Sequence, residues 1–116
     1  MSTLQVRLLV AAREPRVAEL ETLVQAALAE ARVADAQVET VRVSSDEEAR
    51  TLRCLGSPTV RIDGYDIEYA EREPPETSAG SRFYSTPKGW QPLPEQGMIV
   101  FAIREALARQ ERRSRA

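Results

Sequence analysis

The most informative part of the chain is the segment LGSPTVRIDGYDI, which occupies residues 55–67. Its Gly-Ser-Pro tripeptide ends any preceding helix, because proline lacks a backbone donor and glycine favours turns. Thr59 to Ile62 is rich in β-branched residues and predicts a strand. Asp63-Gly64 is a favoured type I′ turn dipeptide, so we expect a hairpin whose second strand runs from Tyr65 to Tyr69.

Upstream of this hairpin, the pattern alternates between strands and helices. Leu4 to Val10 carries β-branched and leucine residues that become continuous at its end, which predicts a central strand covered on both faces. Apolar residues recur every three or four positions from Pro15 to about Arg32, which indicates a helix with Pro15 in its first turn. A second strand is expected over Val38 to Val43. The capping box Ser45-x-x-Glu48 then predicts a short helix that ends near Arg53.

Downstream of the hairpin, the chain is first polar and then helical. Residues 70–80 are polar and contain Pro74-Pro75, so we expect a surface excursion there. Ser81 to Tyr84 predicts a short edge strand, and prolines and a glycine interrupt the stretch from Pro87 to Pro94. Apolar spacing from Met98 to Leu107 predicts a last helix, followed by a polar tail over residues 109–116 that we expect to fray.

The elements follow the order β-α-β-α-β-β-α within one expected domain, residues 1–116. A long helix between the first two strands predicts a parallel pair, and the hairpin adds antiparallel strands. The sequence therefore predicts an α/β protein with a mixed sheet of four or five strands flanked by helices.

Composition excludes several classes of function. The 16 Lys and Arg against 18 Asp and Glu leave a net charge of −2, so the sequence predicts no nucleic-acid partner. No apolar run is long enough for a membrane span and no secretory signal is visible, which predicts a cytoplasmic protein without a membrane partner. The absence of histidine and the single cysteine exclude histidine-dependent catalysis and an internal disulfide, and no metal or other cofactor is predicted.

The element order and the run Gly56-Ser57-Pro58-Thr59-Val60 resemble the thioredoxin-like superfamily. Residues 55–67 are most similar to a group of small bacterial thioredoxin-like proteins, some of which are loosely labelled as related to alkylmercury lyases. The resemblance implies a thioredoxin fold in which the Ser57–Pro58 peptide bond is cis. It also implies that Pro58 faces the N-terminus of the helix that begins near Pro15.

The chain departs from this family at its redox motif. The Cys-Pro-x-Cys motif of such proteins aligns with Glu14-Pro15-Arg16-Val17, which keeps the proline and has neither sulfur. The family's other cysteine position falls near Ser81, again without sulfur. Because dithiol exchange needs an attacking and a resolving thiol, we expect this chain not to be a dithiol-disulfide oxidoreductase.

The resemblance implies a binding or interaction module that uses the groove between the Glu14 helix mouth and the Pro58 loop. In redox-active relatives, an extended peptide or thiol substrate pairs with the backbone beside this proline. The partner is then a protein or peptide, or a small anionic or thiol ligand. Glu14 has a second interpretation as a helix cap, and Arg13 and Arg16 have one as solvated surface residues. The expected binding residues are Arg13, Glu14, Arg16, Ser57, Pro58 and Thr59.

Two alternatives come from other classes of protein. The first is an enzyme that uses Cys54 as a single thiol in glutathione- or organomercury-related chemistry, although a lone cysteine at a helix end favours simple packing. The second is a homodimeric structural subunit that associates through the aromatic residues around the hairpin. Trp90, in a proline-rich segment, is the strongest candidate for an exposed recognition residue.

Two charged runs have opposite signs. The acidic run is a group of carboxylates between Asp63 and Glu76. It lacks the spacing of a calcium-binding EF-hand loop and predicts a solvated loop. The C-terminal arginines from Arg109 to Arg115 form a basic patch that complements a helix dipole. The carboxylates of the acidic run are Asp63, Asp66, Glu68, Glu71, Glu73 and Glu76.

Overall fold

Three helices and eight strands form the part of the chain that the computed structural model describes, residues 3–115. In chain order they are β1 (Leu4–Ala11), α1 (Val17–Glu30), β2 (Ala36–Val43), α2 (Asp46–Leu52), β3 (Leu55–Ser57), β4 (Thr59–Ile62), β5 (Tyr65–Asp66), β6 (Ser78–Ser81), β7 (Tyr84–Thr86), β8 (Gly89–Gln91) and α3 (Gln96–Arg115).

The main sheet has four strands in the order β2-β1-β4-β5. β1 is parallel to β2 and antiparallel to β4, and β4 is antiparallel to β5, so the predicted α/β class with a mixed sheet is confirmed. Asp63 and Gly64 both have positive φ, at 50° and 88°, which agrees with the predicted type I′ turn. The returning strand is shorter than expected, because the Asp66 carboxylate accepts the backbone N–H groups of Glu68 and Tyr69 and turns the chain.

The two faces of the sheet are covered unequally. α1 and α3 pack on one face against alternate residues of β1, including Leu4, Val6 and Leu8. On the other face, α2 packs beside Leu9 and leaves the side chains of Gln5 and Arg7 exposed. The expected central position of β1 is confirmed, and Leu8 to Val10 are buried on both faces. The expectation of cover on both faces is wrong only for the first half of β1, because the seven-residue α2 is too short to reach it.

Helix boundaries follow the local signals with small shifts. α1 begins at Val17, so Pro15 lies in the turn before the helix instead of in its first turn. At α2, the Ser45 hydroxyl accepts the Glu48 N–H at 3.1 Å, as the capping box predicts. The Glu48 carboxylate reaches the N–H of Ser44, at 3.2 Å, instead of that of Ser45.

The segment between the β4–β5 hairpin and α3 contains three strands in place of the one edge strand expected over Ser81 to Tyr84, which is wrong because β6 ends at Ser81 and β7 begins at Tyr84. β6 pairs in parallel with β3, which precedes Pro58 and was not expected as a separate strand. The proline-rich segment forms an antiparallel hairpin, β7–β8, whose loop is Pro87-Lys88. Pro87 is compatible with this hairpin because it lies in the loop, where no ladder hydrogen bond is needed.

The polar C-terminal segment continues α3 to Arg115, so the expectation of a frayed tail from Arg109 is corrected over the described residues, which exclude Ala116. The Arg109 guanidinium stacks on the Tyr65 ring at 3.9 Å. Gln110 is buried, and its amide donates to Asp63 at 2.8 Å. These contacts with the main hairpin stabilise the last turns of the helix.

Candidate functional site

Pro58 connects β3 to β4, and the Ser57–Pro58 bond is cis, as the resemblance implied. The backbone on both sides of this bond is held by the segment that enters β7. The Ser57 carbonyl accepts the N–H of Arg82 at 2.9 Å, and the Pro58 carbonyl accepts the hydroxyl of Tyr84 at 2.6 Å. The loop around Pro58 is therefore fixed by hydrogen bonds to a distant part of the chain.

Glu14 and Ser57 lie in direct contact between the turn before α1 and the Pro58 loop. The Ser57 hydroxyl donates to Oε1 of Glu14 at 2.7 Å and accepts the N–H of Ala11 at 2.8 Å. The Glu14 side chain is only 8% exposed. The two sides of the predicted groove thus touch at this point, and both polar side chains already have partners.

The two arginines that flank Glu14 differ in their contacts. The backbone N–H of Arg16 donates to Oε2 of Glu14 at 3.2 Å, and its guanidinium lies 3.3 Å from the same oxygen. Because Arg16 precedes the first helical residue, Glu14 orders the turn before α1 and does not cap the helix itself. Arg13 is exposed and has no side-chain partner among residues 3–115.

Thr59 and Cys54 lie behind the Pro58 loop and are both fully buried. The Thr59 hydroxyl donates to the Gly56 carbonyl at 2.6 Å and accepts the Leu55 N–H at 2.9 Å. The Cys54 sulfur lies 3.5 Å from the same Gly56 carbonyl. Cys54 therefore packs as a small apolar residue, and its thiol has no solvent access in this structure.

A buried cluster around Arg82 was missed by the sequence reasoning. Arg82 is 7% exposed and Asp66 is 1% exposed. Their paired contacts measure 2.7 and 2.8 Å, and the guanidinium lies 4.3 Å from the centre of the Tyr84 ring. Burial is the largest influence on Arg82 and lowers its pKa, but the interactions with Asp66, Tyr84 and Glu68 together outweigh burial, so the pKa of Arg82 is raised. Burial raises the pKa of Tyr84. No local signal marks this cluster, because Asp66 and Arg82 lie 16 residues apart in the chain.

A second ionic cluster corrects the interpretation of the acidic run as a solvated loop. Glu73 contacts the buried guanidinium of Arg61 at 2.8 and 3.0 Å. It also contacts the partly exposed guanidinium of Arg53 at 2.6 Å. The Arg61 hydrogen bonds lower the pKa of Glu73 to about 2. Asp66 is buried as well, so part of the acidic run neutralises arginines inside the fold.

The basic patch and the acidic run also meet within the chain. The Arg109 guanidinium lies 3.3 Å from the carboxylate of Glu71. Among residues 3–115, no three acidic or cysteine side chains gather closely enough to hold a metal ion. No helix in that range has both the length and the apolar character needed to cross a bilayer.

The β7–β8 hairpin presents an outward face, defined here as Phe83, Ser85 and Trp90. Burial alternates along residues 82–85, so Tyr84 points inward while Phe83 and Ser85 point outward. Trp90 lies opposite Ser85 and is 71% exposed, and Phe83 is 54% exposed. Phe83 adjoins the Pro58 loop, because Arg82 and Tyr84 on either side of it bond to Ser57 and Pro58.

Three of the residues expected to bind a partner at the Pro58 loop, Ser57, Pro58 and Thr59, are buried. Ser57 is buried with its hydroxyl partnered, and Cys54 is sealed behind it. The accessible groups are the guanidinium groups of Arg13 and Arg16 and the outward face of the hairpin. Searches against protein-family models, curated proteins and solved structures each gave no match.

Proposed function

We propose that the chain is a thioredoxin-like domain without redox activity that binds a partner protein beside the Pro58 loop. The binding surface consists of Arg13, Arg16 and the outward face of the β7–β8 hairpin. The observation that carries this proposal is the exposure of Phe83 and Trp90 on a hairpin that Tyr84 anchors to the Pro58 carbonyl.

The arrangement of the strands supports the thioredoxin-like part of the proposal. A parallel β1–β2 pair joined by α1 is followed by the antiparallel β4–β5 hairpin and by α3. Pro58 begins β4 and lies next to the turn that leads into α1, since Ser57 bonds to Glu14. These are the positions that the resemblance assigns to the proline and to the redox motif.

The chemistry of the same region supports a loss of redox activity. The turn before α1 carries the carboxylate of Glu14 at the position where a redox-active relative would have its attacking thiol. This carboxylate accepts a hydrogen bond from the Ser57 hydroxyl. The single thiol of the chain, on Cys54, is fully buried. Nucleophilic attack requires an accessible thiolate, so burial of Cys54 also disfavours the alternative of a single-thiol enzyme.

The mode of binding differs from the backbone pairing expected beside Pro58. β6 already pairs with β3, and the Ser57 carbonyl already accepts a hydrogen bond from the Arg82 N–H. A partner therefore uses side-chain contacts instead of adding a strand at this edge. Aromatic residues are frequent energetic centres of protein interfaces, and two nearby guanidinium groups favour a partner segment that combines apolar and acidic residues.

The experiment uses a displayed peptide library selected against the full chain. Trp90 is the only tryptophan, so its fluorescence reports directly on peptide binding at the hairpin. We expect selected peptides to be apolar and acidic, and Phe83→Ser to weaken them at least about tenfold, or 1.4 kcal/mol. Phe101→Ser is the matched control, because Phe101 is 64% exposed on α3, and it should leave affinity unchanged. Equal affinities for both variants would contradict the proposed surface.

A further inference from the structure

The β7–β8 hairpin is attached to the rest of the fold at its base. Within residues 3–115, neither of its strands pairs with a strand outside the hairpin. Arg82 and Tyr84, at the base, are buried, whereas the residues from Ser85 to Trp90 are mostly exposed. The orientation of the hairpin therefore depends on a small number of contacts around these two buried residues.

Two of these contacts go to the Pro58 loop. The Arg82 N–H donates to the Ser57 carbonyl at 2.9 Å, and the Tyr84 hydroxyl donates to the Pro58 carbonyl at 2.6 Å. Both acceptors belong to one short loop. Because two points define a line, these two hydrogen bonds alone would let the hairpin rotate about the line that joins them.

The turn formed by residues 66–69 supplies the contacts that oppose this rotation. Asp66 pairs with the Arg82 guanidinium at 2.7 and 2.8 Å. One carboxylate oxygen of Glu68 accepts from the same guanidinium at 3.2 Å, and the other accepts the N–H of Ser85 at 3.4 Å. Within residues 3–115, the Ser85 bond is the only hydrogen bond that joins residues 85–91 to the rest of the chain.

We propose that Glu68 is a positioning residue for partner binding, which fixes the outward face of the hairpin by linking Ser85 to the buried Arg82. Ser85 lies opposite Trp90 in the β7–β8 pair, so a restraint on Ser85 also restrains Trp90. A surface that is already ordered loses less conformational entropy when it binds, which strengthens binding. The inference rests on the proposed function for the identity of the site.

Glu68→Gln is the informative variant. A carboxylate offers two acceptor oxygens and a carboxamide only one, so the variant keeps the size of the side chain but cannot keep both contacts. Asp66 still neutralises Arg82, and the fold should therefore be retained. The matched control is Glu71→Gln, because Glu71 belongs to the same acidic run but pairs with Arg109 on α3.

The first measurement is backbone order from NMR relaxation of the full chain without a ligand. In Glu68→Gln, the order parameters of Ser85, Thr86 and Gly89 should fall from about 0.85 towards about 0.6. Those of β1 should not change, and Glu71→Gln should match the wild type throughout. Unchanged order in the hairpin, or an equal loss in β1, would overturn the positioning role.

The second measurement is the affinity of a peptide from the library selection, followed by Trp90 fluorescence. Glu68→Gln should raise the dissociation constant at least about fivefold, whereas Glu71→Gln should leave it unchanged. A direct electrostatic effect has the opposite sign, because loss of a negative charge favours an acidic peptide. Weaker binding therefore reports positioning.

The two measurements separate this inference from the proposed function. Equal affinity of wild type and Glu68→Gln for the selected peptide would overturn the positioning role and leave the proposed function intact. Failure of the wild-type chain to bind any selected peptide would contradict the proposed function, and with it the role of Glu68 in binding. The order parameters would then still decide whether Glu68 fixes the hairpin.

Discussion

The Ser57 hydroxyl donates a 2.7 Å hydrogen bond to the Glu14 carboxylate, which lies 43 residues earlier in the chain. This contact joins the turn before α1 to the loop that carries Pro58. The same hydroxyl accepts the Ala11 N–H, so one small side chain connects the end of β1, the turn and the loop. The region is therefore held as a single unit by a residue that is itself 4% exposed.

Replacing this hydroxyl should destabilise the fold. Ser57→Ala leaves the Ala11 N–H and the Glu14 carboxylate without a partner, and we expect a loss of about 1–3 kcal/mol in the free energy of unfolding. Urea denaturation measures the change. Ser81→Ala, at an exposed position of β6, is the control and should stay within about 0.5 kcal/mol of wild type. Equal stability of both variants would show that the Ser57 contacts contribute nothing.

The wild-type chain should show no disulfide reductase activity in an insulin-reduction assay. The resemblance places Glu14 and Val17 where dithiol exchange would require two thiols, and the one thiol of the chain, on Cys54, is buried. Turnover that persists after Cys54→Ser would refute this expectation, since that variant contains no thiol at all.

Restoring two thiols tests the alignment of the turn before α1 with the family's motif. In a Cys54→Ser background, Glu14→Cys combined with Val17→Cys should give an intramolecular disulfide on mild oxidation. The first introduced thiol should have a pKa below about 8.5, because it adjoins a helix N-terminus and two arginines. Mass spectrometry and alkylation rates measure these properties. Intermolecular disulfides alone would mean that the turn is not the former redox site.

The Glu73 cluster should make stability depend on acid pH. Hydrogen bonds from Arg61 lower the pKa of Glu73 from 4.5 to about 2 in the folded protein. A lowered folded-state pKa adds stability above pH 4.5 that is lost as the pH falls towards 2. Glu73→Gln should therefore be less stable by about 1–3 kcal/mol at neutral pH, with allowance for the partly exposed Arg53. The difference should vanish near pH 2.

Denaturation at a series of pH values provides the measurement for Glu73→Gln. The control is Glu76→Gln, which removes a carboxylate from an exposed position of the same loop. A constant difference between wild type and Glu73→Gln across the acid range would contradict the role of ionised Glu73.

Any larger residue in place of Gly56 should destabilise the fold. Its φ of +113° is strained for other residues, and an added Cβ would lie 2.7 Å from the Cβ of Arg82. Gly56→Ala should cost about 2 kcal/mol or more in unfolding free energy. Gly97→Ala, in the first turn of α3 with open space around it, should be neutral or slightly stabilising. Thermal denaturation of both variants tests the contrast, and an equal melting temperature for the two would contradict it.

Local signals account for the features that the sequence predicted well. The Asp63-Gly64 turn, the Ser45 cap of α2 and the amphipathic spacing of α1 each depend on residues close together in the chain. The mixed sheet followed from the order of these elements. The cis bond before Pro58 came from the resemblance instead, because a single X–Pro pair gives no local indication of its isomer.

The missed features depend on residues far apart in the chain. Arg82 and Arg61 were not expected to be buried, because charged residues rarely are unless they are paired. The sequence assigns their partners, Asp66 and Glu73, to a solvated acidic run. Only the folded structure shows that Asp66 pairs with Arg82 and Glu73 with Arg61. β3, too short to show a periodic pattern, is defined by its pairing with β6.

The excursion between β5 and β6 also restricts where this chain can be cut or lengthened. Polar loops with two prolines are ordinarily sites that accept insertions and are accessible to proteases. Here Glu73 neutralises Arg61, and the carbonyls of Pro74 and Pro75 accept hydrogen bonds from Arg53. An insertion before Pro75 would separate these partners. A proteolytic cut there would weaken the ion pairs of Glu73 with Arg61 and Arg53. Natural variation in loop length, or a fusion tag, is best accommodated after Pro75, where Glu76 is exposed.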